Sequence, residues 1–256
     1  MKYGIGIDLG SRTTKIVFFE KESRSIKYTN VIATKVNPAD SAFDLLEMGK
    51  KELNIKDAEI SKIFTTGYGR KIVSFSDKFV SEITAHAKGI VFLFPNVRTI
   101  LDIGGQDSKV ISIVDGKVND FSMNDKCAAG TGRFLEKVAV LLGIQVKDFG
   151  EIALTADKKI DISSTCVVFA ESEIIGYLAK TEKPANILES VHQSIAKRQK
   201  NLLSRIPLIE PVVFTGGVAN NESMIRALEE TLNITLSIPK DPSITGALGA
   251  ALLASK

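Results

Sequence analysis

Cys127 stands three residues before the turn Gly130-Thr131-Gly132, inside the run Ser122 to Glu136, and Cys166 is the second of only two cysteines. A thiolate is a soft metal ligand. A Gly-rich turn ahead of an apolar helical run offers backbone N–H groups to an anion. The stretch reads equally as a small-residue loop around a buried cysteine, because free Cys is among the most buried residue types. The two cysteines lie too far apart in sequence for a finger. One chain offers two thiolates where a cubane iron–sulfur cluster normally takes four. Two chains give two plus two, so the counting favours a cluster on a dimer axis. Both cysteines sit just ahead of apparent helices, with Ser163, Ser164 or Thr165 able to cap the second. A helix N-terminus favours a thiolate. His86 and His192 are too few and too scattered for a His-based metal site and read as ordinary polar residues.

A second chemistry rests on a repeat. Leu101-Asp102-Ile103-Gly104-Gly105-Gln106-Asp107-Ser108-Lys109-Val110-Ile111 aligns without a gap on Ile7-Asp8-Leu9-Gly10-Ser11-Arg12-Thr13-Thr14-Lys15-Ile16-Val17. Each copy reads strand, Asp-x-Gly turn, strand. Two related halves of this kind point to a nucleotide held in a cleft between domains, against chance similarity of two hairpins. Only Gly lets the backbone approach phosphate oxygens without a Cβ clash, so Gly10, Gly104 and Gly105 are candidate cradles. The Ser11, Thr13 and Thr14 hydroxyls add donors. Asp8 and Asp102 suit Mg²⁺, held largely through water. Gln106 is the candidate for orienting an attacking water. Lys15 and Lys109 could neutralise phosphate, although Lys109 fits a solvated strand end better. No G-x-x-x-x-G-K-[ST] run occurs, which excludes a P-loop.

The elements that must position these residues follow from period and punctuation. Strands are predicted at 3–10, 16–20, 26–34 and 60–66, around a bend at 11–15 and a helix near 39–53 with Phe43, Leu46 and Leu53 on one face. A helix at 81–94 stops at Pro95, and Asp115-Gly116 turns a hairpin of the second copy into 117–121. Helices follow at 134–142, ended by Gly143, at 167–178 and at 185–206. Residues 211–220 read as a buried strand, a diglycine turn and a helix start, followed by helices at 222–232 and 245–252. The 256 residues allow one large domain or two small ones. A net charge of +3, without a Lys/Arg cluster on one element, is too weak to argue for nucleic acid, and no nucleic-acid partner is expected. No apolar run approaches a membrane span and no signal peptide opens the chain, so a cytoplasmic protein without membrane attachment is expected.

Together these motifs resemble the actin-like ATPase superfamily. Asp8-Leu9-Gly10-Ser11 looks like its first phosphate motif, Asp102 to Gln106 like its second, and Thr215-Gly216-Gly217-Val218 like its adenosine motif. Gly130-Thr131-Gly132 and Gly246 to Ala250 look like its connecting segments. Ser81 to His86, Lys126 to Glu136 and Cys166 are most similar to the activators of 2-hydroxyacyl-CoA dehydratases, among the BadF/BadG/BcrA/BcrD-type ATPases. The resemblance implies an α/β fold of two actin-like (ribonuclease H-like) lobes around a nucleotide cleft. Residues 1–97 plus about 243–256 would form one lobe and 98–242 the other. It implies ATP or ADP contacts from Arg12, Glu136, Asn220 and Pro239 beside the residues already named. It further implies Mg²⁺ at Asp8 and Asp102, and one 4Fe-4S cluster per homodimer on Cys127 and Cys166. The activity would be ATP-driven delivery of a low-potential electron to a dehydratase or double-cubane-type partner, with ferredoxin or flavodoxin as donor. A small-molecule, sugar-type kinase of the same fold is the alternative, although 256 residues leave little room for a substrate lobe. A non-catalytic filament or chaperone lobe is a third reading.

Overall fold

The computed structural model describes residues 2–162 and 166–256. The chain divides into two compact units, one of Met1–Arg98, Ile113–Asn119 and Pro239–Lys256, the other of Thr99–Ser112 and Asp120–Ile238.

In the first unit, β1 (Tyr3–Leu9) pairs antiparallel with β2 (Thr13–Glu20), which carries β3 (Ser25–Ala33) on its other side. Thr13 to Lys15 therefore already belong to a strand rather than to the predicted bend. Helix α1 (Pro38–Leu53) is capped by Asn37, opens on Pro at its first position and closes on left-handed Asn54. Its core face is Ala42, Leu45, Leu46 and Gly49. Phe43, expected on that face, is exposed because it lies off this i, i+3, i+4 stripe. Strand β4 (Ile60–Thr66) lies parallel to β1, and β5 (Lys78–Phe79) completes the order β3-β2-β1-β4-β5. Helix α2 (Glu82–Leu93) starts on the Ser81 cap.

The second five-stranded sheet, with the helices around it, repeats the plan of the first. Strands β6 (Thr99–Ile103), β7 (Ser108–Val114) and β8 (Lys117–Asn124) come first, then helices α3 (Gly132–Leu142), α4 (Phe149–Leu154), α5 (Val167–Ala179) and α6 (Pro184–Leu203). Strand β9 (Val212–Thr215), α7 (Glu222–Leu232) and β10 (Leu236–Ser237) follow. The order β10-β9-β6-β7-β8 matches the first sheet read from its other end, with β9 parallel to β6 as β4 is to β1. Asp115 and Gly116 both take positive φ, as the hairpin requires. The apolar side of α6, Ile187, Leu188, Val191, Ile195 and Leu202, is buried in this unit's core as predicted.

The last helix, α8 (Thr245–Ala254), returns to the first unit and lies against β1 and α2. A methyl group at Gly6 would collide with the Ala247 carbonyl, and one at Gly249 with the Ala85 carbonyl. The small residues there set how closely backbone meets backbone. Among the described residues no helix is long and apolar enough to cross a membrane.

Candidate functional site

Two Asp-x-Gly turns, one per unit, are built to the same plan. Register sets Asp8 opposite Lys15 on β1 and β2, and Asp102 opposite Lys109 on β6 and β7. The Lys15 Nζ lies 3.4 Å from Asp8 Oδ2, and the Lys109 Nζ 3.1 Å from Asp102 Oδ2. Each turn closes on itself, Gly10 N–H donating to the Thr13 carbonyl at 3.1 Å and Gly104 N–H to the Asp107 carbonyl at 2.9 Å. Those two amides, expected to face phosphate, are therefore spent inside the turns. The sequence shows two further members of the plan only faintly. Gly67 after β4 and Gly216 after β9 have φ of 89° and 90°. A methyl group would lie 2.5 Å from Asp8 Oδ1 at Gly67, and 2.8 Å from Asp102 Oδ1 at Gly216. Each carboxylate thus sits between a lysine and a glycine backbone that comes in from the parallel strand.

Lys109 departs from its expected place. It is 2% exposed, its ammonium also 2.8 Å from Asp107 Oδ2, rather than solvated at a strand end. The reason is that β7 is an inner strand, so its side chains enter the unit, where an ammonium survives only when paired. Two carboxylates around one ammonium leave this trio one net negative charge, which suits a hard cation. Thr14 is also buried, its hydroxyl bonded to that of Thr34 at 3.0 Å. Ser11 and Thr13 stay partly open, and Arg12 is exposed. Beside Asp8, a methyl group at Gly246 would lie 3.3 Å from Asp8 Oδ2 and 3.1 Å from His86 Nε2. His86, read as an ordinary polar residue, is buried with Nδ1 3.1 Å from Thr245 Oγ1. Its position on the core side of α2 was the available signal.

In the second unit the Gly130-Thr131-Gly132 segment is a clasp rather than an anion cradle. Gly132 N–H donates to the Gly104 carbonyl at 2.9 Å and Arg133 N–H to the Gly105 carbonyl at 2.8 Å. Thr131 N–H is taken by the Ala128 carbonyl at 3.1 Å. The start of α3 is thereby fastened to the second Asp-x-Gly turn, which carries half-buried Gln106. Glu136 is half-buried one turn further along α3. Gly217 leads into a short 3-10 turn in which buried Val218 packs near Gly132 and the Asn220 amide donates to the Gly217 carbonyl at 3.1 Å. Pro239 is buried where the chain re-enters the first unit.

Both cysteines are half-buried and free of disulfides. Cys127 precedes a 3-10 turn, Ala128–Gly130, and only then α3. Asn124 brackets its peptide, accepting from Cys127 N–H at 3.1 Å and donating to the Cys127 carbonyl at 2.8 Å. The Arg198 guanidinium lies 3.7 Å from its Sγ. Cys166 directly precedes α5. The capping expectation for Ser163 to Thr165 lies outside the described residues. Val168 and Phe169, the residues just inside α5, are 66% and 65% exposed. A cavity of about 400 Å³ opens beside the Cys127 loop, lined by Asn124, Lys126, Gly130, Arg198 and Arg205 among others. Among the described residues no three His, Cys, Asp or Glu side chains gather as metal ligands within one chain.

The model of the BadF/BadG/BcrA/BcrD ATPase family matches residues 5–254. The chain is 42% identical over 254 residues to the 2-hydroxyisocaproyl-CoA dehydratase activator of Clostridioides difficile, covering 98% of this chain and 94% of that protein. It is 41% identical over 258 residues to the (R)-2-hydroxyglutaryl-CoA dehydratase activating ATPase of Acidaminococcus fermentans, covering 99% and 97%. The solved activator of the 2-hydroxyisocaproyl-CoA dehydratase from Clostridium difficile, with bound ADPNP, superposes with a TM-score of 0.94 at 40% identity, over 99% of this chain and 94% of that one. The fold is the mixed α/β, two-lobed actin-like one that the motifs implied.

Proposed function

The chain belongs to the BadF/BadG/BcrA/BcrD ATPase family, and from that premise we propose that it is an activator, an ATPase that drives one low-potential electron into a 2-hydroxyacyl-CoA dehydratase or a related double-cubane-type partner. One observation carries the reading. The clasp from Gly132 and Arg133 onto Gly104 and Gly105 makes the phosphate turn and the Cys127 segment one hydrogen-bonded piece. A change in what the turn binds is then felt at the cysteine.

In this reading ATP or ADP takes its phosphate contacts from residues 11–13, Gly105 and Gln106, since the Gly10 and Gly104 amides are occupied. Lys15 and Arg12 balance phosphate charge. Gly130, Thr131, Glu136, Gly216, Gly217, Val218, Asn220 and Pro239 shape the rest of the nucleotide's surroundings. The net charge of the Asp102, Asp107 and Lys109 trio fits Mg²⁺ held largely through water, and Asp8 is the matching carboxylate of the first turn. Gln106 orients the attacking water.

Two half-buried thiols per chain fit half of a four-thiolate set, so two copies of the chain complete it. When bound there, a 4Fe-4S cluster supplies the one-electron couple. Asn124 fixes the Cys127 backbone and Arg198 stands at its sulfur. The protein in this reading is a cytoplasmic homodimer recharged by ferredoxin or flavodoxin. The kinase alternative rests on the shared fold alone.

The test is electron delivery. The reduced protein is mixed anaerobically with its dehydratase-type partner under ATP, ADP or no nucleotide, and acceptor reduction is followed. Reduction under ATP alone is expected, with Asp102→Asn slowing ATP hydrolysis about a hundredfold. Equal reduction in all three conditions would sink the proposal.

A further inference from the structure

Successive residues of α6 hold the two ends of the Cys127 loop. Arg198 reaches Cys127 Sγ with Nη1 at 3.7 Å, and Gln199, 1% exposed, donates from Nε2 to the Gly130 carbonyl at 2.8 Å. Gln199 places the loop against the helix. That contact is neutral and is made to backbone, so it carries no charge to the sulfur. Arg198 does. A guanidinium is a delocalised cation that presents its N–H donors in a fixed fork. An N–H···S contact at this distance is a normal length for sulfur, and charge assistance strengthens it.

We propose that Arg198 is a positioning residue for electron transfer, whose guanidinium holds the Cys127 sulfur and makes the group bound there easier to reduce. The inference deepens the proposed function and rests on its reading of Cys127 as a cluster ligand. The physical reason is the direction of charge. Reduction adds one electron to a centre already ringed by thiolates, so it becomes more negative. A fixed cation donating to a ligand sulfur stabilises the reduced form more than the oxidised one. Hydrogen bonds to ligand sulfurs and local net charge are the protein's main levers on such potentials. Arg205 lines the same cavity, but its side chain is exposed and, among the described residues, makes no bond to the cysteine loop, so it serves as the matched control.

The experiment uses the anaerobically purified full-length protein, its iron counted first. It is then titrated with titanium(III) citrate, which gives up one electron on passing to titanium(IV), and reduction is read by electron paramagnetic resonance. Arg198→Met is expected to lower the equilibrium constant for one-electron reduction about tenfold, equivalent to a fall of about 59 mV. Iron content and nucleotide binding should match the unmutated protein. Arg205→Met should leave the midpoint where it was. Should Arg198→Met fail to retain iron, Arg198→Gln, which is polar and uncharged, carries the same expected fall. An unchanged midpoint in the Arg198 variants, or an equal fall in Arg205→Met, overturns the inference. Absence of iron from the unmutated protein overturns the cluster reading itself and this inference with it, and is told apart by the initial iron count.

Discussion

Lys109 is held by Asp102 and Asp107 at 3.1 and 2.8 Å in a site almost closed to water. Removing one partner of a buried ionic group leaves an uncompensated charge, which costs far more than the pair is worth. Lys109→Met should therefore destabilise the protein by about 3–5 kcal/mol in urea unfolding. Adding Asp107→Asn should recover part of that loss, and a double variant no better than the single one would place the cost elsewhere. His192 gives a pH prediction. Burial pushes its imidazole down to about 4 from 6.5, with Arg226 adding to the fall and Glu189 opposing it. Its Nε2 lies 3.0 Å from the Asn221 amide, and its Nδ1 is buried without a partner among the described residues. A histidine whose folded pKa is depressed stabilises the fold fully above its unfolded pKa. That stability is lost as pH falls from about 6.5 to about 4. The loss amounts to roughly 3 kcal/mol. His192→Gln should flatten the pH dependence of the urea midpoint over this window, and an unaltered slope would refute the assignment.

At the scale of elements, Gly216 and Gly217 make a matched pair. Gly216 has φ of 90°, and a side chain there would strike the Ile103 carbonyl and crowd Asp102. Gly217 has open space around it. Gly216→Ala should cost roughly 2–4 kcal/mol through strain and displaced backbone, while Gly217→Ala stays within about 0.5 kcal/mol. Thermal unfolding of the two variants decides it, and equal losses would contradict the geometry. The equivalent Gly67 shows how far the repeat was legible. Asp8 and Asp102 announce themselves because eleven consecutive positions align, with the pairing lysines at matching distance. Thr66-Gly67 and Thr215-Gly216 belong to the same plan, yet each is a two-residue match far from its partner, too short to stand out. Helix α4 and the two-residue strands β5 and β10 were missed for a related reason, since six residues or two carry no readable period. The Gly-Thr-Gly segment lies just ahead of α3, and its Thr131 and Gly132 amides are bonded to carbonyls. Its glycines are compatible with an anion cradle or a backbone clasp, and only the carbonyls of Gly104 and Gly105, distant in sequence, select the clasp.

At the scale of the whole molecule, the proposed function requires more than one chain. Each chain contributes two thiols, and among the described residues nothing adds a third or fourth ligand. Immediately beyond Cys166, Val168 and Phe169 present large apolar side chains to solvent. With Cys166 as a ligand in the proposed function, this exposed apolar surface beside it is what a second copy would cover. A second copy that brings its own Cys127 and Cys166 to a shared group would meet this part of α5. The expected iron content is therefore about four per two chains. Either Cys127→Ala or Cys166→Ala should abolish the iron and its visible absorption while leaving nucleotide binding intact, because among the described residues the sulfur contact is to Arg198 and not to a proposed nucleotide residue. Phe169→Asp tests the same arrangement from the apolar side. It should shift the protein toward monomer in light scattering coupled to size exclusion, and lower its iron in proportion. Four irons in each separate chain, or a monomeric Phe169→Asp protein that keeps its full iron, would show that the group is not shared.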